Sequence, residues 1–267
     1  MFLPFREHNP SERLPIVTYL LIAANVGIFL LYYPQLSGSP AALFAFYNDW
    51  AMIPQEVAFG DDRHTLISSM FLYGGWMHLG GNMLFLWLYG DNIEDLLGPL
   101  KYLGFYLASG LAAGLGHLLA DPGSPVPTVG ASGEIAGVMG AYLVLFPRAR
   151  VDVLIFFVII VRVITVPAFA LLALWFGMQI FNGLAAQQGV GGVAYWAHIV
   201  GFVAGVILIL PLWLRLGGPS YWSRNHGRPP HNEMLTTIDR RSPLPRVQRH
   251  RGTSIVPSRI PTAGRPR

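Results

Sequence analysis

The sequence predicts an all-α fold, a polytopic membrane bundle of six transmembrane helices, and three observations carry that prediction. Charge is scarce: 12% of the 267 residues are charged and 53% are hydrophobic, where a soluble domain usually holds about 25% charged residues. The apolar residues gather into windows of the roughly 20 residues that a crossing helix needs, and mean hydropathy reaches +0.46. The net charge of +4 is also unevenly placed: residues 216–267 hold 10 Arg against Glu233 and Asp239, net +8, which leaves a body of net −4. An ordinary soluble globule and a disordered chain are both excluded. Basic charge confined to a tail behind an apolar body does not point to nucleic acid. With no cysteine, disulfides, thiolate zinc sites and a Cys nucleophile are excluded as well.

The elements follow in order. Residues 1–14 form a short polar segment containing Arg6 and Arg13. The first helix covers 15–33; it lacks a small-residue cleavage site and is long enough to span, so it reads as a retained helix and not a signal peptide. Residues 34–76 mix aromatic residues with Asp49, Asp61 and Asp62, which suits partial embedding at the interface. The second helix runs over about 77–97 and the third over 100–120. Residues 121–130 (DPGSPVPTVG) hold three prolines and must be a loop. The fourth helix spans 131–146. The apolar stretch 151–185 is too long for one straight span and is interrupted by Arg162 and Pro167, so the fifth crossing is placed at 166–184, with 151–165 along the interface. The sixth covers 194–214. A tail rich in Pro, Arg and Ser follows, expected to be disordered over 216–267. The membrane domain is thus 15–215, and no internal repeat is visible.

An even number of crossings puts both termini on one side. If that side is the interior, 17 of the 18 basic residues lie inside and only Arg63 lies outside, so both termini are expected to be cytoplasmic. Helices two, four and six then run from outside to inside, and their N-terminal ends share the outer face. Those ends carry His78 and Asn82, Ser132, and His198. Polar groups are costly at such depths unless they face a partner or a wet cavity, so these residues are the candidate site.

Ser132 lies in Gly130-Ala131-Ser132-Gly133, at a helix N-terminus, where free N–H groups and the helix dipole favour negative charge. A plain N-cap would use the same residue. His198 is followed by Gly201 and Gly205 on its own helical face, and the fourth helix offers Gly133 and Gly137 with Ala141. Small residues on both helices allow close approach, which would bring the imidazole to the Ser132 hydroxyl as a serine nucleophile requires; ordinary helix packing would use them equally. His78 and Asn82 sit one turn apart on one face, either as oxyanion donors or as packing links between helices.

Taken together, His78-xxx-Asn82, Gly130-Ala131-Ser132-Gly133 and Ala197-His198-xx-Gly201-xxx-Gly205 resemble the motifs of the rhomboid intramembrane serine proteases, and so does Gly90-xxx-Glu94-xxx-Gly98. The likeness spans about residues 15–215. It implies a Ser132–His198 dyad without an Asp, an oxyanion hole made of the Ser132 N–H, His78 and Asn82, and helix-packing support from Gly130, Gly133, Gly137, Gly201 and Gly205. It also implies a water-filled cavity opening outward and substrates that are single transmembrane helices entering past the fifth helix. Two positions depart from the family pattern. Trp50 is followed by Ala51 and not by Arg, and the aromatic often found four residues after the nucleophile is replaced by Ala136.

Other polar residues carry less. His117 is expected to be a hydrogen-bonded structural histidine. Glu134, about 200° round the helix from Ser132, should face away from the dyad, and Glu94 should tie helix ends together. There is no HExxH motif, and neither a metal nor a cofactor is expected. The reading is therefore a serine endopeptidase acting on membrane-spanning segments, with anionic lipids as a partner for the basic tail and no nucleic acid. A non-catalytic rhomboid-like helix-binding protein is the main alternative, and a small polytopic transporter the lesser one. The excess of Arg over Lys points to a bacterial plasma membrane.

Overall fold

In the computed structural model, which describes residues 2–8, 11–157, 160–186 and 193–230, every window predicted to be a membrane helix holds an α-helix. The order is β1 (Phe2–Glu7), α1 (Ile16–Leu36), α2 (Pro40–Trp50), α3 (Pro54–Phe59), α4 (Thr65–Ser68), a 3-10 turn (Ser69–Phe71), α5 (Trp76–Leu97), α6 (Pro99–Ala120), α7 (Ser132–Leu145), β2 (Arg150–Phe157), β3 (Ile160–Pro167), α8 (Ala168–Ala185), α9 (Tyr195–Arg215) and α10 (Pro219–Asn225). Among the described residues, four helices are long and apolar enough to cross a membrane: α1, α6, α8 and α9. The helix α5 matches them in length at 22 residues but carries Asp91, Glu94 and Asp95 in its last turns. The central α7 has 14 residues. Almost wholly buried, α7 is the helix that its neighbours enclose.

Helix α1 opens after Pro15 with no capping side chain of its own. Its free N–H groups are met from α5: the Glu94 carboxylate accepts from the backbone N–H of Val17 at 2.9 Å and of Thr18 at 2.8 Å, and from the Thr18 hydroxyl at 2.8 Å. A carboxylate at a helix N-terminus is favoured by both hydrogen bonding and the dipole. Gly90, one turn earlier, allows the approach, since a Cβ there would lie 2.6 Å from the Tyr102 hydroxyl. Thus Glu94 joins helix ends as expected, through backbone N–H groups and not through Arg.

Two expectations need correction. The fold is mostly helical but not all-α: β1, β2 and β3 form a three-stranded antiparallel sheet in that order. Residues 151–157 and 160–165, expected along the interface, lie in strands β2 and β3. Their β-branched residues (Val151, Val153, Val163, Ile164, Thr165, Val166) suit a pleated strand better than a helix, and β2 pairs with the N-terminal strand on one side and with β3 on the other. Glu7, 8% exposed, accepts from Tyr142 on α7 and from Asn92 on α5, each at 2.8 Å, which anchors β1 to the bundle.

The tail also begins in order. Helix α10 falls inside the 216–267 segment expected to be disordered, and its Trp222 indole donates to the Val144 carbonyl at 2.9 Å. Tyr221 is buried beside it. An aromatic pair at the foot of α9 was enough to fold the first turns back onto the body. Residues 231–267, with most of the Arg, lie outside the described residues, and so does the lipid association expected of them.

Candidate active site

Ser132 is placed by its loop as much as by its helix. The Pro-rich loop before it cannot make its own secondary structure, and the short helices of the 37–75 segment hold it instead. Met52 and Thr128 exchange backbone hydrogen bonds at 3.1 and 2.8 Å, the Gln55 N–H donates to the Ser124 carbonyl, and the Gly130 N–H donates to the Ser69 carbonyl at 2.9 Å. Gly130 then turns with φ +125°, a left-handed conformation that suits glycine. A Cβ there would also sit 2.9 Å from the His78 imidazole. The chain enters α7 at Ser132 itself, so the hydroxyl and its own N–H both lie at the helix N-terminus.

His198 comes from the first turn of α9, which packs most extensively against α7. The small residues on the two facing stripes bring backbone against backbone. A Cβ on Gly201 would collide with the Gly133 carbonyl, and one on Gly205 with the Gly137 carbonyl. Gly137 in turn has the Ser109 side chain of α6 2.5 Å from where its own Cβ would be. The seam leaves His198 Nε2 2.7 Å from Ser132 Oγ, which is hydrogen-bond contact.

His78 and Asn82 reach the same place from α5. The Gly74 N–H donates to His78 Nδ1 at 3.3 Å, so in the neutral ring the proton sits on Nε2, which lies beside Gly130. Asn82 is buried, and its amide donates to the His78 carbonyl at 2.8 Å; the second amide hydrogen is left for another acceptor. The ring of His78 is steadied by Tyr73, centroid to centroid 5.3 Å and edge-on. Tyr73 is itself tied to α1 by its hydroxyl donating to Asn25 Oδ1 at 2.8 Å.

Two residues at the site were missed from the sequence, both on α8. The Gln179 amide oxygen accepts from His198 Nδ1 at 2.9 Å, and the Trp175 ring lies 5.8 Å from the imidazole at 34°. Trp175 supplies the aromatic face that Ala136 cannot. A signal existed: Trp175 and Gln179 stand four residues apart, hence on one face of an otherwise apolar helix, and a glutamine in such a helix asks for a polar partner.

The pieces surround one cavity of about 650 Å³, lined by Gly74, His78, Asn82, Ser132, Trp175 and His198 among others. His117 also lines it. It had been expected to be hydrogen-bonded, yet its buried Nδ1 has no partner among the described residues. Glu134 is 2% exposed and packs toward α6, where a Cβ on Gly110 would lie 3.1 Å from its carboxylate. No group of three metal-ligating side chains occurs among the described residues.

Comparison with known proteins adds to this geometry. Residues 61–215 match the family model described as Rhomboid domain. Over 210 residues the chain is 28% identical to Rhomboid protein 1, mitochondrial, of Saccharomyces cerevisiae, covering 77% of this chain and 54% of that one. It is 32% identical over 129 residues to Rhomboid protease GluP of Bacillus subtilis, covering 48% of this chain and 24% of that one. It is also 32% identical over 144 residues to the putative rhomboid protease YdcA of Bacillus subtilis, covering 54% of this chain and 69% of that one. The chain thus spans about half the length of the yeast relative and about a quarter of GluP.

Proposed function

The chain belongs to the rhomboid family, and from that premise we propose that it is a serine endopeptidase that cleaves single-span membrane proteins within the bilayer by a Ser132–His198 dyad. Membrane insertion follows from the family and from the apolar helices. The observation that carries the proposal is the 2.7 Å contact between Ser132 Oγ and His198 Nε2, made at a helix N-terminus inside a cavity.

The chemistry follows from the atoms. His198 Nε2 takes the hydroxyl proton as Ser132 Oγ attacks the scissile carbonyl, then returns it to the leaving amine. The negative oxygen that forms faces the Ser132 N–H, the His78 Nε2–H and the free Asn82 amide hydrogen, with the N-terminal end of the α7 dipole behind them. Water, activated by the same imidazole, then hydrolyses the acyl-enzyme.

We read six crossings, α1, α5, α6, α7, α8 and α9, with both termini cytoplasmic. Convergence of the N-terminal ends of α5, α7 and α9 on one cavity supports a shared outward direction for those three, and the distribution of basic charge supports which direction that is. Cleavage is then near the outer face, with substrates reaching the cavity beside α8. The Arg bias favours a bacterial plasma membrane, while the mitochondrial name of the yeast relative runs against it.

The test is reconstitution with a single-span substrate, cleavage being followed by gel. Wild type is expected to cut near the outer face and Ser132→Ala not at all, with Asn82→Ala slower by about 100- to 1,000-fold, the usual effect of losing one oxyanion donor. Undiminished cleavage by Ser132→Ala would sink the mechanism.

A further inference from the structure

We propose that Gln179 is the positioning residue of the catalytic base: through its amide oxygen, α8 sets the tautomer and the orientation of His198. The inference rests on the protease reading above. For Nε2 to take the Ser132 proton it must be bare, so the proton of the neutral ring has to sit on Nδ1. The group facing Nδ1 must then be an acceptor. The Gln179 amide oxygen occupies that position at 2.9 Å, on a side chain only 8% exposed, so water is poorly placed to substitute for it. Trp175, one turn back on the same face of α8, covers the flat side of the imidazole. Together they hold the ring by an edge and a face, the two constraints that an aromatic ring on a single side-chain axis needs.

The arrangement is a division of labour. The α7–α9 seam sets how far Ser132 lies from the α9 backbone, and α8 sets which way the ring points. A neutral amide can fix the tautomer in this way but cannot stabilise the imidazolium as a carboxylate would. The same helix lines the cavity through Trp175, Gly183 and Ala186, so one element forms a wall of the cavity and orients the base.

The experiment compares Gln179→Met with Gln179→Glu in the reconstituted full chain. Methionine matches the volume but offers no comparable acceptor, and glutamate keeps the acceptor. A packing role predicts that Met is tolerated and Glu is not; a positioning role predicts the reverse order. Expected for Met is a fall in kcat of about tenfold, the worth of one good hydrogen bond, with KM little changed and an equal fall in the rate at which a fluorophosphonate probe labels Ser132. Glu should stay nearer to wild type on both measures. Wild-type labelling and kcat in Gln179→Met, or Glu falling below Met, would overturn the inference alone. A wild type that neither cleaves nor labels at Ser132 would overturn the protease reading and this inference with it. Nitrogen-15 spectra of the wild-type histidine ring provide a test that needs no variant: a proton on Nδ1 supports the inference, and a proton on Nε2 contradicts it.

Discussion

Two of the neighbours that α9 presses against, α7 and α8, hold it by different means. On the α7 side, glycines on both helices let backbone meet backbone at Gly133, Gly137, Gly201 and Gly205. On the α8 side the contact is made of side chains: Phe176 stacks on Phe202 at 4.4 Å, Trp175 faces His198, and Gln179 bonds to it. Most of α8 otherwise faces outward, with Leu174, Phe181 and Leu184 exposed by 55, 73 and 72%. A backbone seam has few alternative arrangements, because interiors are close-packed and do not deform gradually. Side-chain contacts can part and re-form. The difference separates what sets the spacing of the reacting atoms, a backbone seam, from what sets the orientation of the base, a side-chain contact.

Three variants test that contrast, the largest effect first. Gly205→Leu drives a side chain into the backbone of Gly137 and should cost more than about 3 kcal/mol, beyond ordinary overpacking. The unfolding temperature in detergent should drop steeply and cleavage should disappear; a stable, active Gly205→Leu protein would show that the seam is not rigid. A tether on the other side comes next. A Cβ on Gly183 would lie 3.3 Å from the Tyr195 Cβ, close to disulfide separation, and the sequence has no cysteine to compete. Oxidised Gly183→Cys/Tyr195→Cys should lose most cleavage of a spanning substrate, keep probe labelling of Ser132, and recover on reduction. Cleavage untouched by oxidation would mean that substrates do not enter beside α8. The smallest effect is expected from Gly177→Ala on α8, where nothing lies within 4 Å. It should raise stability by up to about 1 kcal/mol through helix propensity and leave cleavage unchanged, which thermal unfolding and the gel assay would show.

Much of this was legible from the sequence and some was not, for reasons that differ residue by residue. Ser132, His198, His78 and Asn82 could be found because each stands in a short motif at the same end of an apolar window. The helices themselves were legible because twenty apolar residues in a row have few other solutions. Strands β2 and β3 were not legible because apolar, β-branched residues declare a strand only when a partner is available. That partner, β1, lies nearly 150 residues away in the chain. The ordered start of the tail was missed because Tyr221 and Trp222 sit among the Pro, Gly, Ser and Arg that suggested disorder.

By itself, then, the sequence determined that this is a helical membrane protein with a polar site at one end of three helices, and it named the two residues that meet there. Those features are local, since spacing, composition and charge placement are properties of neighbouring residues. Only the tertiary structure decided that Glu94 caps α1, that a sheet joins the N-terminus to the hairpin before α8, and that Trp175 and Gln179 grip the imidazole. Each of these pairs a group on one element with a group on another, and a hydrogen bond at 2.9 Å depends on where two helices finally come to rest. That position is settled by packing summed over the whole bundle, which no single stretch of sequence contains.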